Sequence, residues 1–268
     1  MRVALLVLLC TAVSGALGYA QTYPMQTPVP RTTSLPALQA MAVSREVEER
    51  FRLGLAALGG GQNAQAAAEF QRIVALNPGE PRGSTAHYDA ALAYAHLGRY
   101  GEAAQNLHAA LALDPGFLAA MANLVAVDIA RGDLTEARKI ADRYVALDPD
   151  SARALYSRGI VALRAGDART ARDDFGKLLQ ANPAYAVAHY DLALAEERLG
   201  NDAAAERELR TALTLAPAYA RAQLALGALL LKLGRRAEAR DQFARASHDA
   251  NDPALQNLAA AMRDSITI

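Results

Sequence analysis

The chain has one cysteine, Cys10, and no tryptophan, and aromatic residues make up only 6% of its 268 positions. A single thiol excludes a disulfide framework and a cysteine-based zinc site. An excess of either charge is also missing, since 28 basic side chains face 28 acidic ones. That balance argues against a nucleic-acid binder, which draws on a strong basic surplus. Lysine is nearly absent (Lys139, Lys177 and Lys232), so almost every cation is a guanidinium. Signatures of chemistry are lacking as well: no HExxH, nucleophile elbow, phosphate loop or dinucleotide fingerprint occurs, and no two histidines stand four apart on one helix. No catalytic residue, cofactor or metal is therefore expected. What is present is 52% hydrophobic residues, dominated by Ala and Leu. Such a composition favours helices over sheets.

Residues 1–20 read as an export signal. Arg2 precedes an apolar run from Val3 to Val13, and small residues then accumulate at Ser14, Gly15, Ala16, Gly18 and Ala20. Gly18 and Ala20 occupy the two positions read by a signal peptidase before Gln21. Cleavage there implies a periplasmic or secreted protein with no membrane span in its mature form. Two alternatives stay open, an uncleaved anchor and lipidation at Cys10. Thr11, Ser14, Gly15 and Gly18 dilute the run against the first, and Leu9 stands before the cysteine against the second. Residues 21–43 follow with Pro24, Pro28, Pro30 and Pro36 among threonines, and read as an extended, flexible linker.

The remainder is periodic. Gly98, Gly132, Gly166, Gly200 and Gly234 are spaced by 34, as are Pro115, Pro149, Pro183 and Pro217, and Ala103, Ala137, Ala171, Ala205 and Ala239. An earlier copy carries Gly61, Ala66 and Pro78. Each unit reads as two helices, with a glycine between them and a proline ending the second. Small residues are expected where the two helices cross, with Ala91 facing Ala103, Gly159 facing Ala171 and Gly227 facing Ala239. Asp133 before Glu136 predicts a capped start to the second helix of the third copy. Six copies span 47–83, 84–117, 118–151, 152–185, 186–219 and 220–251, within a repeat region of 44–251. Residues 252–268 read as a capping helix, because a terminal repeat otherwise exposes an apolar face.

The glycine, the small residues, the terminal proline and a large residue late in the second helix (Phe70, Leu107, Phe175, Leu209, Phe243, with Ala141 as the exception) resemble the tetratricopeptide repeat family over about residues 47–251. The family's early tryptophan is missing; Arg50, His87, Met121, Leu155, His189 and Gln223 stand there. The resemblance implies an all-α, right-handed solenoid whose first helices line a concave groove that binds peptides or helices of a protein partner. It also implies a scaffold rather than an enzyme. A structural assembly role, through the ends or the convex face, is the alternative. Some family members grip a C-terminal carboxylate with Lys, Asn and Arg from three repeats. Asn123 and Arg153 match that pattern, whereas Tyr88, Leu92 and Ser157 replace its other members, so the clamp is incomplete.

Within the groove, the fifth position of each copy carries Phe51, Tyr88, Ala122, Tyr156, Tyr190 and Leu224. Around the C-terminal half stand Arg153, Arg164, Arg198, Arg221 and Lys232, with Glu197 opposing. Tyr and Arg anchor interfaces more often than other residues do. The expected ligand is a peptide or protein segment with apolar anchors and net negative charge, lying across copies two to six. Three charges interrupt apolar positions: Asp128, Arg158 and Glu196. They are expected either to be partly exposed or to form a network, with Arg158 between the two carboxylates.

Overall fold

The computed structural model describes residues 35–266. Among them there are thirteen α-helices and no strands. The chain divides into two compact units, the first ending at Leu147 and the second starting at Asp148. In the first lie α1 (Leu35–Gly59), α2 (Asn63–Leu76), α3 (Arg82–His96), α4 (Tyr100–Leu113), α5 (Leu118–Arg131) and α6 (Leu134–Leu147). The second holds α7 (Ala152–Ala165), α8 (Ala168–Ala181), α9 (Ala186–Arg198), α10 (Asp202–Leu215), α11 (Ala220–Lys232), α12 (Arg236–Asp249) and α13 (Pro253–Asp264). Odd- and even-numbered helices are the first and second members of successive hairpins. Within each unit every helix packs on its neighbours in sequence. This is the all-α repeat architecture that the period of 34 predicts, and α13 packs on α12 at its end.

The punctuation residues act as their chemistry requires. Gly132 and Gly166 close α5 and α7 in the left-handed region, at φ of 82° and 86°, where a side chain would be strained. Behind Gly132, the Asp133 carboxylate accepts from the Glu136 backbone N–H at 3.1 Å, the cap expected for α6. Asp167 does the same for α8 through Thr170.

The proline-rich linker does not extend to residue 43. Helix α1 begins at Leu35 and is 25 residues long, so Pro36 falls at its second position. The amide that proline lacks is one that the first turn of a helix leaves unbonded in any case. The expected export signal and the rest of the expected linker fall on residues 1–34, which lie outside the described residues, as do 267 and 268.

The hairpin crossings also differ from expectation. Gly159 faces the ring of Phe175: a Cβ at that glycine would lie 2.6 Å from Cε1. Gly54 faces Phe70 and Gly227 faces Phe243 in the same way, at 2.7 and 2.6 Å. The small residue therefore makes room for the large one on the second helix rather than for its alanine. Where the large residue is Leu107 or Leu209, the matching position holds Ala91 or Ala193. Where it shrinks to Ala141, that position grows to Val125. All of these side chains are buried. Gly with Phe, Ala with Leu and Val with Ala keep the summed volume of each crossing roughly level, as close packing demands. The Ala141 exception thus has its compensation on the facing helix.

Of the three charged positions Asp128 is buried, whereas Arg158 and Glu196 are partly exposed, and Arg158 does not lie between the other two. Asp128 is fully buried and pairs with Arg131 of its own helix at 2.9 Å. Arg158 puts a two-pronged contact on Asp174, at 2.8 and 2.6 Å across its own hairpin. Glu196 accepts from the Asn201 side chain at 2.6 Å. The carboxylate that receives the Arg158 fork thus comes from the second helix of the same copy, a position that the repeat pattern alone does not flag.

Candidate functional site on the first-helix faces

In the first unit, Phe51 on α1 is half-buried with its ring 6.2 Å from Phe70. Tyr88 on α3 is buried; its hydroxyl accepts from Asn123 Nδ2 at 3.0 Å, and its ring lies 4.9 Å from Phe117. Asn123 itself is only 6% exposed. The two carboxylate-clamp matches are thus unlike: Asn123 is engaged with Tyr88, and Arg153 of the second unit is half-buried. Next to Tyr88 stands Asp89, also buried, whose carboxyl group desolvation pushes up to about 7.

The second unit brings together more of the expected residues. Tyr156 on α7 donates its hydroxyl to Asp191 Oδ2 on α9 at 2.9 Å. Its ring lies 5.9 Å from Phe175 and 5.6 Å from Tyr185. Tyr190 on α9 pairs with Tyr219 at 5.2 Å. Asp191 is 6% exposed, and its carboxyl group is pushed up to about 7. Burial is the main cause; the Tyr156 hydroxyl and the positive charges of Arg221 and Arg164 act in the opposite direction. Burial, with the Asp191 charge added, raises Tyr156, Tyr185, Tyr190 and Tyr219 above the ordinary phenol value.

The cations are not equivalent. Lys232 is paired with Asp202 at 2.6 Å, and Arg198 donates to the Leu163 carbonyl. Arg164 is exposed and Arg221 half-buried, and among the described residues neither has a carboxylate partner. Both act on the charge of Asp191. Leu224 is half-buried and packs against the apolar core of α9 to α13.

Sequence reasoning missed Phe117, Tyr185, Tyr219 and the acidic residues Asp89 and Asp191, and it named Asn123 without its tyrosine partner. Their signal was nonetheless periodic. Tyr88 with Asn123 and Tyr156 with Asp191 are each 35 residues apart, one repeat plus one position. Tyr88 with Phe117, Tyr156 with Tyr185 and Tyr190 with Tyr219 share a separation of 29. Each face tyrosine is thus held at the junction with the following copy: Tyr88 and Tyr156 through a hydroxyl bonded to the next first helix, and all three through a ring on the loop that leads into it.

The histidines are accounted for by packing. His87 and His189 hold the same repeat position. Each reaches the second helix of its own hairpin, through Asn106 at 3.0 Å and Glu208 at 2.6 Å. Among the described residues no three His, Cys, Asp or Glu side chains are grouped so as to hold a metal. Also among them, no helix is long and apolar enough to cross a membrane.

Comparison with known proteins agrees with this geometry. One family model described as "Tetratricopeptide repeat" matches residues 94–158, and a second with the same description matches 51–117, 156–220 and 190–254. No curated protein matches the chain. A tetratricopeptide repeat protein of Parabacteroides merdae superposes with a TM-score of 0.73 at 18% identity, covering 82% of this chain and 86% of that one. TTC0263, a thermophilic TPR protein of Thermus thermophilus, is 25% identical with a TM-score of 0.56, over 67% of this chain and 98% of its own. MamA of Desulfovibrio magneticus RS-1 is 19% identical with a TM-score of 0.58, over 62% and 93%. The likenesses to the Parabacteroides protein and to MamA show the fold alone.

Proposed function

Since the chain belongs to the tetratricopeptide repeat family, whose arrays serve as protein-interaction scaffolds, we propose that it is a non-enzymatic adaptor that binds a peptide or helix of a protein partner on its first-helix faces. The observation that carries this reading is in the second unit. Tyr156 is bonded to Asp191 and pairs with Tyr185, Tyr190 of the next first helix pairs with Tyr219, and Arg164 and Arg221 on the first helices of the same unit form no ion pair among the described residues. Tyr and Arg are the residues that most often anchor interfaces, and this face carries both. Tyr185 is 40% exposed, so part of the aromatic surface is open to a ligand. The partner segment is read as apolar with net negative charge. The working compartment is read as the bacterial periplasm or the exterior, reached through the 1–20 signal, with an uncleaved anchor as the alternative.

The test is capture of a partner from the envelope fraction of the source bacterium by the tagged mature chain. Tyr190→Ala should weaken capture about tenfold or more, a loss of ~1.4 kcal/mol, with the helical signal unchanged. Charge reversal at Arg221 should also weaken it. Capture unchanged by both substitutions would move the interaction to the ends or the second-helix face, which is the assembly reading.

A further inference from the structure

The sixth position of each first helix is the one that Asn123 and Asp191 occupy, and in copies one to five it is polar: Arg52, Asp89, Asn123, Ser157 and Asp191. Four of these side chains are satisfied. Arg52 donates to Glu49 at 2.9 and 2.5 Å, and Asn123 donates to the Tyr88 hydroxyl at 3.0 Å. Ser157 donates to the Arg153 carbonyl at 2.7 Å, and Asp191 accepts from the Tyr156 hydroxyl at 2.9 Å. Asp89 is the exception. Its side chain belongs to a residue only 9% exposed, yet no group among the described residues bonds to its carboxyl oxygens.

The cause is one residue in the preceding copy. Tyr88 and Tyr156 each bond the sixth position of the copy that follows them, whereas copy one carries Phe51 at their position and has no hydroxyl to offer Asp89. The guanidiniums of Arg50, Arg52 and Arg82, on the same two helices, are committed elsewhere: to Glu46 and Glu69, to Glu49, and to Glu48. The fifth and ninth positions of these helices are apolar and reachable, with Phe51 and Leu92 half-buried and Leu55 51% exposed. A buried carboxyl group without a partner is unfavourable in either protonation state, because the ionised form lacks a counter-charge and the neutral form lacks an acceptor for its O–H. Such breaks in an otherwise regular pattern gather at functional sites.

Resting on the reading that the first-helix faces carry the partner, we propose that Asp89 is a cation subsite of the first unit, which receives a lysine ammonium of the bound segment while Phe51, Leu55 and Leu92 cover its methylene stem. A neutral donor would leave the ionised carboxylate without compensation, and burial already pushes this group up to about 7. An ammonium supplies the donor and the counter-charge together. Lysine suits the opening better than arginine does. Its compact head needs one acceptor oxygen, whereas a guanidinium gains most from a carboxylate open to both prongs of its fork, and Asp89 is too enclosed for that. Apolar side chains beside the carboxylate match the stem, which lysine commonly lays along apolar surface. Asp191 in the second unit is no such subsite, since the Tyr156 hydroxyl already occupies it. The partner segment therefore presents a lysine to the first unit, within its net negative charge.

The experiment uses the full mature chain, isotope-labelled, titrated with N-acetyl-lysine N-methylamide, whose only charge is the ammonium. The Asp89 Cγ and Phe51 ring signals should shift saturably, while the Cγ signal of the exposed Asp241 should not saturate. The probe acetylated at Nζ should move Asp89 no more than Asp241, and the arginine analogue should half-saturate at a several-fold higher concentration. Asp89→Asn should lose the Phe51 response. Phe51→Tyr restores the hydroxyl that copies two and four possess, so it should raise the half-saturating concentration several-fold with the melting temperature level or higher. That variant keeps the test decisive should Asp89→Asn lose helical content. Asp89 shifts no larger than those of Asp241, or a Phe51→Tyr chain that binds the probe as the parent does, overturn the subsite. An arginine analogue bound as tightly as the lysine probe overturns the choice of lysine. If the Asp89 shifts are absent while Tyr190→Ala still weakens partner capture, the groove reading stands and this inference alone falls.

Discussion

Replacing Gly159 by alanine tests whether the hairpin crossings are set by paired volumes. The new methyl carbon would sit 2.6, 2.8 and 3.0 Å from Cε1, Cζ and Cδ1 of Phe175. Carbon atoms rest at about 3.5–4.0 Å, so three ring atoms overlap by up to about 1 Å. Phe175 is fully buried, with Tyr156 stacked nearby at 5.9 Å, so the ring has little freedom to retreat. Overpacking of this kind costs ~3 kcal/mol at the upper end of its range. The gain from placing alanine in a helix interior is only ~1 kcal/mol. Gly159→Ala should therefore destabilise by ~2 kcal/mol despite improving helix propensity. Phe175→Leu alone removes ring contacts and leaves a gap, for a loss of ~1–2 kcal/mol. Together the two substitutions reproduce the pairing of Ala91 with Leu107 and of Ala193 with Leu209, so the double variant should lie within ~1 kcal/mol of the original chain. The coupling of at least ~2 kcal/mol is of the size expected for residues in contact. Urea unfolding followed by circular dichroism, with hydrogen exchange of α7 and α8 to localise the change, supplies the double-mutant cycle. Additive losses, or a Gly159→Ala variant as stable as the parent, would refute the volume-pairing argument.

Other outcomes follow from the same structure. Asp89 and Asp191 hold their protons to about pH 7 in the folded chain, whereas an unfolded carboxylate releases its proton near pH 4. The folded state then binds more protons between those values, so stability should be highest at the acidic end and fall as pH rises through that window. The slope is at most ~1.4 kcal/mol per pH unit for each group; Asp89→Asn and Asp191→Asn should each flatten the melting-temperature profile and raise it at pH 8. Arg158→Leu leaves the Asp174 carboxylate buried without its fork, and since Arg158 is itself partly exposed the expected loss is ~2 kcal/mol, read by the same urea assay against a surface Arg207→Ala control. Expressed in a bacterium, the mature protein should begin at Gln21 in the periplasmic fraction, and an intact N-terminus in the membrane fraction would establish the anchor instead.

Much of the fold was legible because it repeats. Most copies state their helix ends twice over, in a glycine such as Gly132 or Gly166 closing the first helix and in a proline such as Pro115 or Pro149 following the second. What the pattern could not convey was which residue each small position faces. Gly159 and Ala171 were both small and both periodic, and only the coordinates show that the glycine accommodates a ring. The helix beginning at Leu35 was hidden for a different reason. Proline forbids helix interiors but not helix starts, and Pro36 belongs to the second case. At the candidate site, the aromatic row was visible from the fifth positions, but its second half, Phe117, Tyr185 and Tyr219, lies in the loops that enter the next copies. Partner choice for the cations was not readable at all. Lys232 and Arg198 look like Arg164 and Arg221 in sequence, and their different engagements depend on where Asp202 and the Leu163 carbonyl happen to fall.

The two kinds of pairing have opposite consequences for how such a chain can lengthen or shorten in evolution. Gly159 and Phe175 lie in one copy, so a duplicated or deleted repeat carries both along and leaves the crossing intact. Tyr156 and Asp191 lie in successive copies, so the same event separates them: a repeat spliced in between would hand the Tyr156 hydroxyl to whatever its new neighbour offers, and leave Asp191 facing a stranger. The internal crossings make each copy portable, while the links between copies record their order.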